Sequence, residues 1–114
     1  MDAELRRFEG DWDAFEVGGV EGYCRFIIDG NRLEFMGAQS WFVSRLLMDE
    51  DRESGRFMLL IEDSPLKQDN GKSLPCVYRF EVDELTIVLG GPDYMDYPRY
   101  FDKPEGCRLF RLNK

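Results

Sequence analysis

Acidic side chains are the commonest reactive groups in this 114-residue chain, with 23 Asp and Glu against 15 Lys and Arg. A carboxylate hydrolase needs two acids held at a set separation across a cleft, one with its pKa raised by burial. Here the acids gather at turns and on the polar faces of strands, where water keeps them ordinary. The run Asp49-Glu50-Asp51-Arg52-Glu53-Ser54-Gly55 offers many oxygens to a hard cation. A calcium-binding hand would need glycine where Ser54 stands and a bidentate Glu where Leu60 stands, so the run reads as a solvated hairpin tip. Gly71-Lys72-Ser73 has the tail of a phosphate loop, but the glycine required five residues earlier is Leu66 and no helix pattern follows. Histidine is absent, which excludes His-based triads, metal sites and proton shuttles. No Ser or Cys has a base within a recognisable motif. The expectation is therefore a non-enzymatic protein with no catalytic residues, no metal site and no cofactor.

Two features stand apart from this ordinary chemistry. The segment Pro92-Asp93-Tyr94-Met95-Asp96-Tyr97-Pro98-Arg99-Tyr100-Phe101 is unusually aromatic for a connection. Tyr and Met give contact area at small entropic cost, so Tyr94, Met95, Tyr97, Tyr100 and Phe101 are candidates for a lid or interaction loop. The favoured reading is that these rings cover an open end of the barrel as part of the core. The second feature is the tripeptide Gly10-Asp11-Trp12.

The elements that must position these residues are mostly strands. Asp2 is a candidate N-cap for a short helix over 3–9, stopped by Gly10. After it, strands are predicted at Asp13–Val17, Tyr23–Ile28, Arg32–Met36, Trp41–Leu47, Arg56–Glu62, Cys76–Val82, Glu84–Leu89 and Cys107–Leu112. Turn chemistry separates them: Gly18-Gly19, Asp29-Gly30-Asn31, Asp49 to Gly55, Asp69-Asn70-Gly71 and the tight link Val82-Asp83-Glu84. Alternation places Leu33 and Phe35 on one face of the third strand, and Cys76, Tyr78, Phe80 and Val82 on one face of the sixth. It places Leu85, Ile87 and Leu89 together on the seventh. About eight hairpin-linked strands with no intervening helix predict one antiparallel domain, a sandwich or an up-and-down barrel, and only the barrel abolishes edges.

Composition narrows the class. The length suits a single domain, and 43 % hydrophobic residues supply a core without a disulfide or metal staple. A net charge of −8 argues against nucleic acid and anionic membranes, both of which demand a basic face. It favours a basic partner if there is a protein partner. Cys24, Cys76 and Cys107 are widely spaced, odd in number and without a CxxC pair, which reads as three buried thiols in a reduced protein. The segment 1–7 has no apolar core for a signal peptide, and the longest apolar run, Phe57 to Ile61, is too short to cross a bilayer. A cytoplasmic protein, monomeric or weakly dimeric, is the expectation.

Gly10-Asp11-Trp12 at the entry to the first strand of such a meander resembles the Gly-x-Trp signature of the lipocalin superfamily. That resemblance implies that Trp12 closes one end of the barrel against an Arg of the last strand, Arg108 or Arg111. A closer likeness is to a planctomycete-type lipocalin-like family of unassigned activity. It rests on Phe8-Glu9-Gly10-Asp11-Trp12, on Tyr78-Arg79-Phe80-Glu81-Val82-Asp83-Glu84-Leu85-Thr86-Ile87, and on the tail from Pro98 through Pro104 to Leu109 and Phe110. The likeness is good over 8–17 and 76–114, moderate over 22–37 and poor from about 40 to 75. It implies an eight-stranded antiparallel, lipocalin-like up-and-down barrel with a short N-terminal helix (1–10) and the barrel over 11–114. Such a barrel is just wide enough to be filled by side chains or to hold one ligand. The function expected by fold analogy is binding of a small, largely apolar molecule, with Leu33, Phe35, Tyr78, Phe80, Ile87 and Leu89 lining the interior. The rival expectation is a packed, acidic interaction or inhibitor module that uses the Tyr-rich loop.

Overall fold

A computed structural model describes residues 2–92, 96–99, 101 and 105–114. Eight strands form a closed antiparallel barrel in sequence order. They are β1 (Gly10–Val17), β2 (Tyr23–Asp29), β3 (Arg32–Met36), β4 (Trp41–Met48), β5 (Arg56–Asp63), β6 (Ser73–Glu81), β7 (Glu84–Leu89) and β8 (Arg108–Asn113), preceded by α1 (Ala3–Phe8). Closure comes from β1, which pairs with β2 on one side and β8 on the other, for example Ala14 opposite both Cys24 and Leu112. No helix among the described residues is long and apolar enough to cross a membrane.

Local chemistry accounts for most boundaries. The Asp2 carboxylate accepts from the Glu4 and Leu5 N–H groups and caps α1. Asp29 and Arg32 close the β2–β3 ladder around Gly30, whose φ of 59° is the left-handed conformation this turn requires. Val82 departs from the expected alternation: it was grouped with Cys76, Tyr78 and Phe80, yet it is 99 % exposed. The last β6–β7 pair is Glu81 with Glu84, so Val82 belongs to the turn and has left the pleat.

The interior is filled by side chains. Phe8, the last residue of α1, enters the barrel and meets Phe57, Tyr78 and Phe80 at centroid distances of 5.6, 4.8 and 5.2 Å. Further in, Phe26, Phe35 and Phe110 pack edge-on or tilted at 5.1–5.3 Å. Leu33, Leu46, Leu59, Leu85, Ile87 and Leu112 fill the spaces between the rings. The Tyr78 hydroxyl donates to Glu4 Oε2 at 2.6 Å and ties the helix to β6. Burial and that neighbouring carboxylate push the Tyr78 pKa upward.

Trp12 closes the helix end, but with a different cation from the one expected. Its indole N–H donates to the Phe8 carbonyl at 2.7 Å, and Lys114 Nζ lies 4.7 Å from its ring. The β1–β8 register explains this, because Asp13 pairs with Asn113 and brings residue 114 beside Trp12. Arg111 points outward and is exposed, and Arg108 lies at the opposite end of β8.

The aromatic connection between β7 and β8 also departs from expectation. Tyr97 and Phe101 pack on an outer-wall cluster of Val77, Val88, Cys107 and Leu109. Arg56 lies over the Tyr97 ring at 4.9 Å and Arg79 over Phe101 at 4.4 Å. These two rings therefore cover the wall of the barrel rather than an open end, because the outward residues of β6–β8 are themselves apolar. Tyr94, Met95 and Tyr100 lie outside the described residues.

Candidate functional site

The candidate site lies at the end of the barrel away from α1. A cavity of about 530 Å³ lies between the β3–β4, β5–β6 and β7–β8 connections. Its apolar surface comes from Phe42, Ile61, Leu74 and Leu89, with Trp41, Pro65, Leu66 and Pro92 higher up and Arg108 among the polar groups. Strand parity builds this surface: Phe42, Ile61, Leu74 and Leu89 are inward residues near the mouth ends of β4, β5, β6 and β7. The volume falls within the range of small-molecule sites.

Beside the cavity stands a buried charge cluster. The inward row of β1 runs Trp12, Ala14, Glu16, and that of β8 runs Arg108, Phe110, Leu112. Antiparallel pairing of Glu16 with Phe110 brings the two polar exceptions to the same depth. The Arg108 guanidinium donates to Glu16 through Nε at 2.8 Å and Nη2 at 3.0 Å, a bidentate pair. It also lies over Phe35 and Phe110, at 5.2 and 5.1 Å from their centroids. Glu16 is only 3 % exposed, and it accepts further from the Glu21 N–H at 3.3 Å. Glu21, 7 % exposed, accepts from the Ser40 hydroxyl at 2.6 Å and the Gln39 N–H at 2.8 Å. Two glycines make room for these carboxylates: a Cβ at Gly19 would sit 2.0 Å from Glu16 Cδ, and one at Gly37 would sit 2.3 Å from Glu21 Oε1.

The electrostatics favour the ionised form of Glu21. Burial opposes ionisation of Glu21, but the Ser40 and Gln39 hydrogen bonds and the charge of Arg108 outweigh it and hold the carboxyl below its ordinary value. A carboxyl with a lowered pKa is a poor general acid at neutral pH. Cys24 sits nearby, and burial with the charges of Glu16 and Glu21 pushes its thiol up to about 11, so it stays protonated. All three cysteines are free and buried.

The lowered Glu21 pKa has a consequence for stability. A carboxyl with a depressed folded-state pKa stabilises the fold above its unfolded value, here 4.5, and that contribution is lost as the pH falls through the folded value. Glu21→Gln is expected to lower stability at neutral pH and to flatten the acid limb of the stability curve. Urea midpoints measured from neutral pH down to about pH 3 check this. An acid limb as steep as that of the parent protein would contradict it.

The structure distributes the expected lining residues unevenly. Leu89 faces the mouth cavity. Leu33, Phe35 and Ile87 are fully enclosed in the packed interior, while Tyr78 and Phe80 pack around Phe8 at the helix end. Phe42, Ile61, Leu74, Glu16 and Glu21 were not singled out from sequence. A signal for Glu16 and Arg108 was nonetheless present: each interrupts an otherwise apolar inward row, and their signs are opposite. Compared with known families, curated proteins and solved structures, the chain matches none.

Proposed function

We propose that this protein binds a small, largely apolar molecule without transforming it, and that the molecule sits at the barrel mouth rather than deep inside. The observation that carries this reading is the cavity of about 530 Å³ with Phe42, Ile61, Leu74 and Leu89 as its apolar surface beside a preformed polar cluster. A concave apolar site with a few fixed polar groups is the usual form of a small-molecule site. The depressed Glu21 pKa supports a non-enzymatic role, since hydrolysis by paired carboxyls calls for a raised one. The eight-stranded meander entered through Gly10-Asp11-Trp12 supports kinship with lipocalin-like barrels at the level of fold. Three free, buried thiols suit a reducing compartment such as the cytoplasm.

Titration with N-phenyl-naphthylamine, an uncharged apolar fluorophore, tests the site. Saturable binding is expected, accompanied by a change in tryptophan emission that survives Trp12→Phe and disappears in Trp41→Phe, because only Trp41 borders the cavity. Leu66 is an exposed lip residue, so Leu66→Asp leaves the core intact and is expected to weaken binding about tenfold. Absence of saturable binding, or a response confined to Trp12, would overturn the assignment. The filled interior favours a second reading, an acidic module that engages a basic protein. Native mass spectrometry of protein from its own cell extract separates the two: a small adduct lost on unfolding supports the first, a stoichiometric protein partner the second.

A further inference from the structure

We infer that the ligand of the mouth carries an uncharged hydrogen-bond acceptor, such as a ketone, ester or amide carbonyl, on an apolar body, and that Arg108 Nη1 donates to it. This inference rests on the mouth being the binding site. Two of the three guanidinium nitrogens, Nε and Nη2, are committed to Glu16. Nη1 is used by no described residue. Among the described residues no buried side-chain nitrogen or oxygen lacks a partner, so Nη1 is solvent-accessible, on a side chain that lines the cavity. The lining hydroxyls are already engaged, and the Gln39 amide and Trp41 indole N–H are uncharged donors on exposed side chains. The Ser40 hydroxyl donates to Glu21, and the Ser64 hydroxyl to the Leu66 carbonyl and Asn70 Oδ1. Arg108 is thus the charged donor among the described residues that line this largely apolar cavity.

The charges around Arg108 decide which acceptor it takes. A ligand carboxylate could win the full guanidinium charge only by displacing Glu16, which is 3 % exposed and would be left buried without that cation. It would also approach Glu21, a second buried carboxylate, in a chain of net charge −8. A ligand ammonium meets Arg108 with like charge, and Asp69, the carboxylate that lines the cavity, is already paired with Lys72 at 3.4 Å. A neutral carbonyl takes the spare N–H and leaves the Arg108–Glu16 pair in place. Its apolar body then lies against Phe42, Ile61, Leu74 and Leu89.

The test uses the intact wild-type protein and three probes of similar chain length: methyl nonyl ketone, decanoate and decylamine. Each competes against bound N-phenyl-naphthylamine at neutral pH. The ketone is expected to compete about tenfold more strongly than either ion, the effect of one charge-assisted hydrogen bond kept against one forfeited. Equal or stronger competition by decanoate would show that Arg108 releases Glu16 to the ligand and would overturn the inference. Equal or stronger competition by decylamine would overturn it by showing that the carboxylates govern the cavity. Both of those results leave the mouth as the binding site. Failure of the fluorophore itself to bind removes the mouth reading and this inference together.

Discussion

Arg108→Met is expected to destabilise the protein by about 3 kcal/mol, the lower part of the range for stranding one member of a buried ion pair. The loss comes from Glu16 more than from the arginine. Glu16 is 3 % exposed and would lose two charge-assisted hydrogen bonds at once, whereas the Arg108 side chain is already 33 % exposed to water. The pH dependence gives the expectation a second readout. In the variant, ionised Glu16 is a buried charge without its guanidinium partner, and protonation removes that charge. The penalty is then greatest at neutral pH and is relieved in acid, where the carboxyl takes up a proton. Urea unfolding of both proteins at neutral pH and at about pH 5 should therefore show the gap narrowing in acid. The double variant Glu16→Leu/Arg108→Met should recover much of the stability, because it removes the stranded charge and leaves apolar volume. A deficit independent of pH, and not recovered in the double variant, would place the effect in packing over Phe35 and Phe110 instead.

The second large effect is expected at the other end of the barrel. Trp12→Ala should cost about 3–5 kcal/mol, as for a large buried aromatic truncated to alanine. Trp12 is buried in the main core cluster, its N–H satisfies the Phe8 carbonyl, and it seals the helix end of the barrel. Trp12→Phe keeps a ring and loses the hydrogen bond, so a smaller loss of about 1–2 kcal/mol is expected. Lys114→Ala should change stability by less than about 1 kcal/mol, because the cation over the indole is exposed. Thermal and urea unfolding of the three variants check the order. An unchanged melting curve for Trp12→Ala would end the barrel-closing role of that residue.

Much of the wall of the barrel was legible along the chain. Asp29-Gly30-Asn31 between two β-rich runs fixed one hairpin, and the bounds of β3 and β7 agree residue for residue with the alternation that predicted them. Parity also sent Leu33, Phe35, Tyr78, Ile87 and Leu89 inward. Those inferences need only neighbours one or two residues apart, because the pleat alternates sides at every residue. Boundaries that depended on a partner strand were less legible. β1 starts at Gly10 rather than Asp13 because Gly10 pairs with Ile28, and β6 starts at Ser73 because Ser73 pairs with Leu60.

The candidate site was read less well, and the reason is again one of range. Glu16 and Arg108 are separated by 92 positions, and nothing local to either says that they share a depth. The same is true of Lys114, which reaches Trp12 through the β1–β8 register rather than through the chain. The sequence by itself determined a single acidic domain, its strands and turns, and the inward faces of most of them, because these follow from composition and from short-range periodicity. Tertiary structure alone decided that rings would fill the helix end, that Tyr97 and Phe101 would cover the wall, and that the described residues of the opposite end would leave a cavity beside a neutralised arginine. Those outcomes depend on the shear with which β1 meets β8, and the register of a closing ladder is set by the simultaneous packing of all eight strands.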